Sequence, residues 1–315
     1  MTDTQNEVFK TPVNKIRLFE HGAPGSQNLK LTRKYYTEDM PDGRVKHIVQ
    51  NITDPDIVPY IPDGIGNSTD RQRIPAVLII PGGAFRRLVY NFEGEDVAKW
   101  LNSMGIAAFV LECRLPSDEH DNAEDVPLID AMRAMRVIRG RAQEFGIDEA
   151  KIGVMGFSAG GFMAALLSTA YESDVYADYK YKDEYDKLSA RPDFAVCSYP
   201  VISIDDCIEA GKRYMSEEQV LERISDRKAK ILHKYNPDKL VRPDMPPVFI
   251  CETDDDRTTL SENSVGFYMA ARKAGVSAEL HIFRTGGHGY GCGDDFAQTG
   301  EWKVLFTKWI KSIGI

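Results

Sequence analysis

The chain of 315 residues carries 39 Lys and Arg against 48 Asp and Glu, a net charge of −9 without any long basic block. That balance argues against nucleic acid and anionic membrane surfaces as partners. No run of about 18 apolar residues is present, so no membrane-spanning helix is expected. The polar start from Met1 to Glu7 lacks an apolar core, so no signal peptide is read there, and a cytoplasmic location is expected. Cys113, Cys197, Cys207, Cys251 and Cys292 are odd in number and widely spaced, which fits reduced, mostly buried thiols. No C-x-x-C pair or ligand cluster suggests zinc, and neither a metal nor a cofactor is expected.

Residues 1–70 are polar and rich in turns, and they read as edge strands and loops, with a strand-like piece at Val45–Val49. The stretch Asp63 to Thr69 reads as a flexible loop. A regular pattern then begins and defines a main domain over 71–315. Ala76–Ile80 is a continuous apolar strand of the kind buried in a parallel sheet. Glu95–Met104 reads as a helix with Val97, Trp100, Leu101 and Met104 on one face. Ile106–Leu111 is a second buried strand. Leu128, Met132, Met135, Ile138 and Ala142 form the apolar face of a longer helix. Lys151–Met155 is a strand that runs into a glycine-rich turn, followed by the helical run Phe162–Leu167.

Tyr171–Lys187 is irregular, charged and rich in tyrosine. Asp193–Tyr199 is a strand. Ile202–Leu240 is charged and mostly helical, and its part 203–240 reads as an insertion. That insertion either caps a site or is ordinary surface helix. Strands at Pro247–Glu252 and Glu279–Phe283 bracket a helix at Ser261–Ala274 that Gly275 stops. A last helix is expected from about Asp295 to Ile313. Alternating apolar strands and helices imply a doubly wound, mainly parallel α/β sheet with helices on both faces. Function in such sheets collects at the C-terminal ends of the strands.

The turn Gly156-Phe157-Ser158-Ala159-Gly160-Gly161 matches G-x-S-x-G between a strand and a helix, the pattern of a nucleophile elbow. The serine backbone there is strained, so its neighbours two residues away must lack bulk. Alone, such a turn is often a mere helix cap. A nucleophilic serine needs a base, an acid and oxyanion donors, with the acid and then the histidine following it in the chain. His288, in Gly286-Gly287-His288-Gly289-Tyr290-Gly291 after the last strand, is the suitable histidine. His233 and His281 are poorer candidates, and His21, His47 and His120 precede the serine. The acid belongs in Asp254-Asp255-Asp256, where at least two members must be plain solvated turn residues. Oxyanion donors are expected from the N–H of Ala159 and from the loop Pro81-Gly82-Gly83-Ala84-Phe85, through Gly83 or Ala84.

These stretches together resemble the α/β-hydrolase esterases, in particular the acetyl-esterase and acetyl-xylan-esterase-like group. The likeness covers roughly residues 50–315. It is carried by Ile79 to Phe85, Glu93-Gly94, Trp100 to Ala107, Arg114-Leu115-Pro116, Gly156 to Gly161, Arg191 to Val196, Tyr199-Pro200-Val201, Pro246 to Phe249 and Gly286 to Gly291. The resemblance implies an α/β-hydrolase catalytic domain over 71–315. The implied activity is a serine esterase acting on short-chain esters, such as acetyl groups on xylo-oligosaccharides or similar sugars.

Aligning the family pattern at Glu262-Asn263-Ser264 selects Asp256 as the acid. Thr259-Leu260 stands where the family has Val-Pro, which keeps Asp255 in play. Ala84 replaces the family's third oxyanion-loop glycine, and Cys113 replaces a tyrosine before Arg114. Phe85, Phe157, Tyr290 and also Tyr199 are candidates to flank an acyl chain or sugar ring, although such aromatics are more often core. Two alternatives remain: a serine peptidase of the prolyl-oligopeptidase type, and a non-catalytic binding protein on a hydrolase fold. The expected partner is a small ester, including an acetylated oligosaccharide, and a homo-oligomer stays open.

Overall fold

A computed structural model describes residues 9, 13–65, 73–213, 216, 218–220, 229–293 and 298–315. Its strands are β1 Ile16–Arg17, β2 Lys34–Asp39, β3 Val45–Gln50, β4 Asp56–Tyr60, β5 Ile74–Ile80, β6 Leu88–Val89, β7 Ala107–Glu112, β8 Ile147–Phe157, β9 Ala195–Ser198, β10 Val248–Thr253 and β11 Ala278–Phe283. Eight of them form one sheet in the order β1-β4-β7-β5-β8-β9-β10-β11. From β7 to β11 every pairing is parallel, while β4 meets β7, and β1 meets β4, antiparallel. Every residue of β7, β9 and β10 is buried: their apolar runs fill the sheet interior, and the polar residues at their ends, Glu112, Ser198, Glu252 and Thr253, are enclosed with them.

The helices are α1 Asp96–Ser103, α2 Val126–Gly140, the single turn α3 Ala142–Phe145, α4 Ala159–Ala170, α5 Ile204–Lys212, α6 Ala229–Lys234, α7 Ser261–Lys273 and α8 Glu301–Ser312. Strand alternation shows how they cover the sheet. Phe157 reaches Trp302 of α8, with ring centroids 6.3 Å apart. Its neighbour Gly156 lies against Gly160 of α4, so close that a Cβ there would sit 1.9 Å from the Gly160 carbonyl oxygen. Consecutive strand residues face opposite sides, so α4 and α8 cover opposite faces. Trp100 of α1 stacks edgewise on Trp302 and Phe306, which puts α1 beside α8.

The elements expected from the pattern form within a few residues of their expected bounds. The long helix with Leu128 and Met132 ends at Gly140, so Ala142 belongs to α3. Two features were not foreseen. β2, β3 and β6 make a separate antiparallel sheet. The early segment is also bound tightly to the main sheet: Leu18 and Phe19 are buried in the core, and Lys15 and Arg33 each reach the fully buried Glu112 at 2.7 Å. In 203–240 the helices α5 and α6 form, while 214, 215, 217 and 221–228 lie outside the described residues. Lys234 and Tyr235 tie the end of this segment to Asp125 at the start of α2. Part of the Asp63–Thr69 loop, and the expected start of the last helix at Asp295, also lie outside the described residues. Among the described residues no helix is long and apolar enough to cross a membrane. Cys113, Cys197, Cys251 and Cys292 are buried and form no disulfide.

Candidate functional site

Because β5, β8, β10 and β11 run parallel, their C-terminal ends open on one edge of the sheet. The loops that leave those ends carry Pro81–Phe85, Ser158, Asp254–Asp256 and His288. Ser158 follows β8 directly, with φ 53° and ψ −118°, a left-handed conformation that a residue with a side chain adopts only under strain. The turn closes because Gly160 has no side chain: a Cβ there would lie 1.9 Å from the Ile80 carbonyl oxygen. Gly82 is equally constrained, since a Cβ would meet the Phe157 carbonyl at 2.4 Å and the Ser158 Cβ at 2.9 Å. The loop after β5 thus lies directly on the elbow.

His288 Nε2 stands 2.9 Å from Ser158 Oγ, and His288 Nδ1 stands 2.6 Å from Asp256 Oδ2. Asp256 is buried, and its other oxygen accepts the N–H groups of Thr258 and Thr259 at 2.7 and 2.9 Å. Burial pushes the Asp256 carboxyl up, but the hydrogen bond and charge of His288, with the two threonine amides, outweigh it and hold it below its ordinary value. Asp255 is exposed and accepts the Gly287 N–H at 2.8 Å. It therefore buttresses the histidine loop from outside, and Asp254 is likewise exposed. Below Asp256, the buried Glu252 has its carboxyl pushed well above the ordinary range by burial and by the Asp256 charge.

Thr259 departs from the family's Val-Pro, yet it serves this site. Its N–H and its hydroxyl both bond Asp256, the hydroxyl at 3.0 Å, and that hydroxyl lies 3.2 Å from His288 Nδ1. The signal was available in Asp256-Arg257-Thr258-Thr259, since an Asp carboxylate readily accepts amides two and three residues on.

On the oxyanion side, the Gly82 N–H donates to Glu93 Oε2 at 2.8 Å. This leaves the amides of Gly83 and Ala84 as the loop's candidate donors. Ala84 takes φ 57° and Phe85 φ 59°, so the loop forms with a methyl group where glycine was expected. Ala159 opens α4, and the first amides of a helix have no partner inside it. Together these groups can bind negative charge beside Ser158.

The aromatic candidates divide. Phe85 is nearly buried, with its ring edge on Phe162 at 5.5 Å. It lines a cavity of about 20 Å³ with Leu88, Cys113, Leu115, Ala159 and Met163, room for one water-sized group. Phe157 and Tyr290 require correction. Phe157 is fully buried, because strand alternation turns it toward Trp302 and away from the elbow opening. Tyr290 is buried with its ring on Tyr199, centroids 4.5 Å apart, and its hydroxyl is shut off from solvent. Neither side chain faces open space. The sequence reading used Glu93 only for the family likeness and gave it no role in the site; it is a buried carboxyl that accepts the Tyr199 hydroxyl at 2.9 Å as well as the Gly82 amide. Burial raises its pKa, against the opposing pull of the His288 charge and of its two donors.

The BD-FAE family model matches residues 65–270, a span that includes Ser158 and Asp256 and ends before His288. An acetylxylan esterase of Xylanibacter ruminicola is 31% identical over 240 residues, covering 76% of this chain and 45% of that protein. The chain spans less than half the length of the curated relatives it matches. Among solved structures, an acetyl ester-xyloside bifunctional hydrolase from Caldicellulosiruptor lactoaceticus superposes with a TM-score of 0.71 at 35% identity, covering 95% of this chain and 96% of that one. The carboxylesterase Cest-2923 of Lactobacillus plantarum, at 20% identity and a TM-score of 0.67 over 90% of this chain and 98% of its own, shares the fold. The fold is that of the α/β-hydrolase esterases, and the chain belongs to the BD-FAE family.

Proposed function

We propose that the protein is a serine carboxylesterase that removes short acyl groups, acetyl above all, from xylo-oligosaccharides or similar sugars. The observation that carries this reading is the unbroken chain from Ser158 Oγ through His288 to the buried Asp256, with contacts of 2.9 and 2.6 Å. In the proposed reaction Ser158 Oγ attacks the ester carbonyl while His288 Nε2 takes its proton. The imidazolium that results is stabilised by Asp256 at Nδ1. Negative charge on the carbonyl oxygen is met by the amide of Ala159 and by that of Gly83 or Ala84. His288 then gives its proton to the leaving sugar hydroxyl, which leaves an acyl-enzyme on Ser158. Water activated by His288 hydrolyses that ester and restores the serine.

The substrate side of the proposal is supported by two relatives, one named for acetylxylan and the other for acetyl esters and xylosides. The small cavity beside Ala159 and Phe85 supports a small acyl group. The test is turnover of p-nitrophenyl acetate, p-nitrophenyl octanoate, acetylated xylo-oligosaccharides and a dipeptidyl amide by wild type and Ser158→Ala. Acetate release confined to wild type is expected. Equal background turnover in both proteins would sink the proposal, and amide cleavage exceeding ester cleavage would replace it with a peptidase.

A further inference from the structure

Four loops meet at one buried pair of side chains, Glu93 and Tyr199. Glu93 belongs to a helical turn, Asn91–Glu95, that runs into α1, and its side chain is buried. One carboxylate oxygen accepts the Gly82 N–H of the oxyanion loop at 2.8 Å. The other accepts the Tyr199 hydroxyl at 2.9 Å. That same hydroxyl accepts the Gly291 N–H at 3.0 Å, and Gly291 closes the loop that carries His288. The Tyr199 ring stands edgewise to the His288 ring at 5.1 Å. Its backbone carbonyl accepts the Thr259 hydroxyl at 3.3 Å, and the next two links are Thr259 to Asp256 and Ser198 to the Ser158 N–H. Tyr199 itself adopts φ 37°, a left-handed conformation that its surroundings must impose.

We infer that Glu93 and Tyr199 form a positioning strut that fixes the distance between the oxyanion loop and the histidine loop, so that amide donors and imidazole address one reacting carbonyl. This inference rests on the esterase reading for its kinetic consequence, but not for its structural one. The physical case is as follows. A buried carboxyl carries a desolvation cost that an apolar side chain of the same shape would avoid. Here it accepts one donor from each side of the site, and no contact between the two loops themselves is needed to set their separation. Gly291 is held from its other side as well, since its carbonyl accepts the Trp302 indole N–H at 3.1 Å, and a Cβ on it would lie 2.6 Å from the Phe92 carbonyl. The turn that supplies Glu93 thus touches the histidine loop directly at Phe92 and through Tyr199 one residue later. Hydrogen-bonded chains of this kind transmit a displacement at one end to the other, because each member has only one satisfied arrangement.

The discriminating experiment measures amide hydrogen exchange at Gly82 and Gly291, beside kcat and KM for p-nitrophenyl acetate, in wild type, Glu93→Gln, Tyr199→Phe and the double variant. Removing the tyrosine hydroxyl deletes the acceptor of the Gly291 N–H and the donor to Glu93, but no direct partner of Gly82. The strut requires Gly82, two links away, to exchange faster as well. Glu93→Gln must likewise speed Gly291. Each single variant is expected to lose on the order of 10- to 100-fold in kcat with KM within about threefold, as for a misplaced catalytic group. The double variant is expected to be no worse than the poorer single one, because the pair acts as a unit. If each variant changes exchange only at its own direct partner, the strut is overturned. A fall in melting temperature with kcat unchanged, or losses that add in the double variant, overturns it too. Should Ser158→Ala leave turnover untouched, the esterase reading fails, while exchange at Gly82 and Gly291 still decides the strut.

Discussion

Asp256→Asn is the substitution that separates the two acidic candidates most sharply. The asparagine keeps the shape of the side chain. Its oxygen can still accept the Thr258 and Thr259 amides that now hold Oδ1 at 2.7 and 2.9 Å. What changes is the atom 2.6 Å from His288 Nδ1, which turns from an acceptor into an NH₂ donor. The imidazole must then present Nδ1 as acceptor and carry its proton on Nε2, the atom facing Ser158 Oγ at 2.9 Å. In that tautomer it cannot take the serine proton. Wrong-tautomer substitutions of this kind lower kcat about 10⁴-fold, which is about 5.4 kcal/mol at 1.36 kcal/mol per tenfold.

Asp255→Asn gives a different outcome. Asp255 is exposed and accepts the Gly287 N–H at 2.8 Å, with Gly286 and the Thr253 hydroxyl as further donors, and an asparagine oxygen accepts from such groups as well. The expected loss there is less than about threefold, in line with surface substitutions generally. Steady-state kcat for p-nitrophenyl acetate at pH 7 to 8, on protein of verified circular dichroism, measures both. A larger loss for Asp255→Asn, or comparable losses for the two, would refute the assignment and the tautomer argument together.

Three further outcomes are expected. Asp256 is held below its ordinary pKa, near 3.9 for a free side chain, so it adds stability above that value, and the contribution is lost as pH falls through the folded-state pKa. Urea midpoints between pH 3 and 6 should therefore fall less steeply on the acid side in Asp256→Asn than in wild type, and parallel curves would contradict this. Ser158→Gly releases a strain of about 1–3 kcal/mol at φ 53°, against about 0.5–1 kcal/mol of added chain entropy, so it should melt above the equally inactive Ser158→Ala by calorimetry. Phe85→Ala enlarges the 20 Å³ cavity and should raise the butyrate-to-acetate ratio of kcat/KM by about tenfold or more. An unchanged ratio would remove Phe85 from acyl selection.

Much of the site was legible because its parts sit at strand ends, and strand ends are marked by where an apolar run stops. Ser158, His288 and the acidic turn each follow such a run, and the parallel pairing of β8 to β11 brings their loops to one edge. The same logic could not choose among three adjacent aspartates. That choice depends on which carboxyl the turn points inward, and the turn is set by Thr258 and Thr259, of which Thr259 stands where the family has valine. Phe157 and Tyr290 were misplaced for a related reason. Proximity in sequence to Ser158 and His288 says nothing about which side of a strand or loop a ring takes, and alternation sends Phe157 to the α8 face. The separate sheet of β2, β3 and β6 escaped notice because β2, Lys-Tyr-Tyr-Thr-Glu-Asp, is only half-buried, and β6 has two residues.

Glu93 was the hardest residue to see, and the reason bears on how the site is built. Glu93-Gly94 carries part of the family likeness, but a carboxylate within Asn91-Phe92-Glu93-Gly94-Glu95 offers no spacing to any catalytic group. Its two partners lie 11 residues before it and 106 after it. Only the pairing order β5-β8-β9 makes them neighbours, by setting the end of β5 next to the elbow and the end of β9 beside that. The candidate reacting groups can be read one strand at a time, since each occupies its own loop. The groups that fix the loops relative to one another must span several strands, so they become visible only once the sheet order is known. A site assembled this way carries its chemistry in local motifs and its geometry in long-range pairs. For this reason, substitutions at Glu93 and Tyr199 are expected to act on kcat while leaving every motif residue in place.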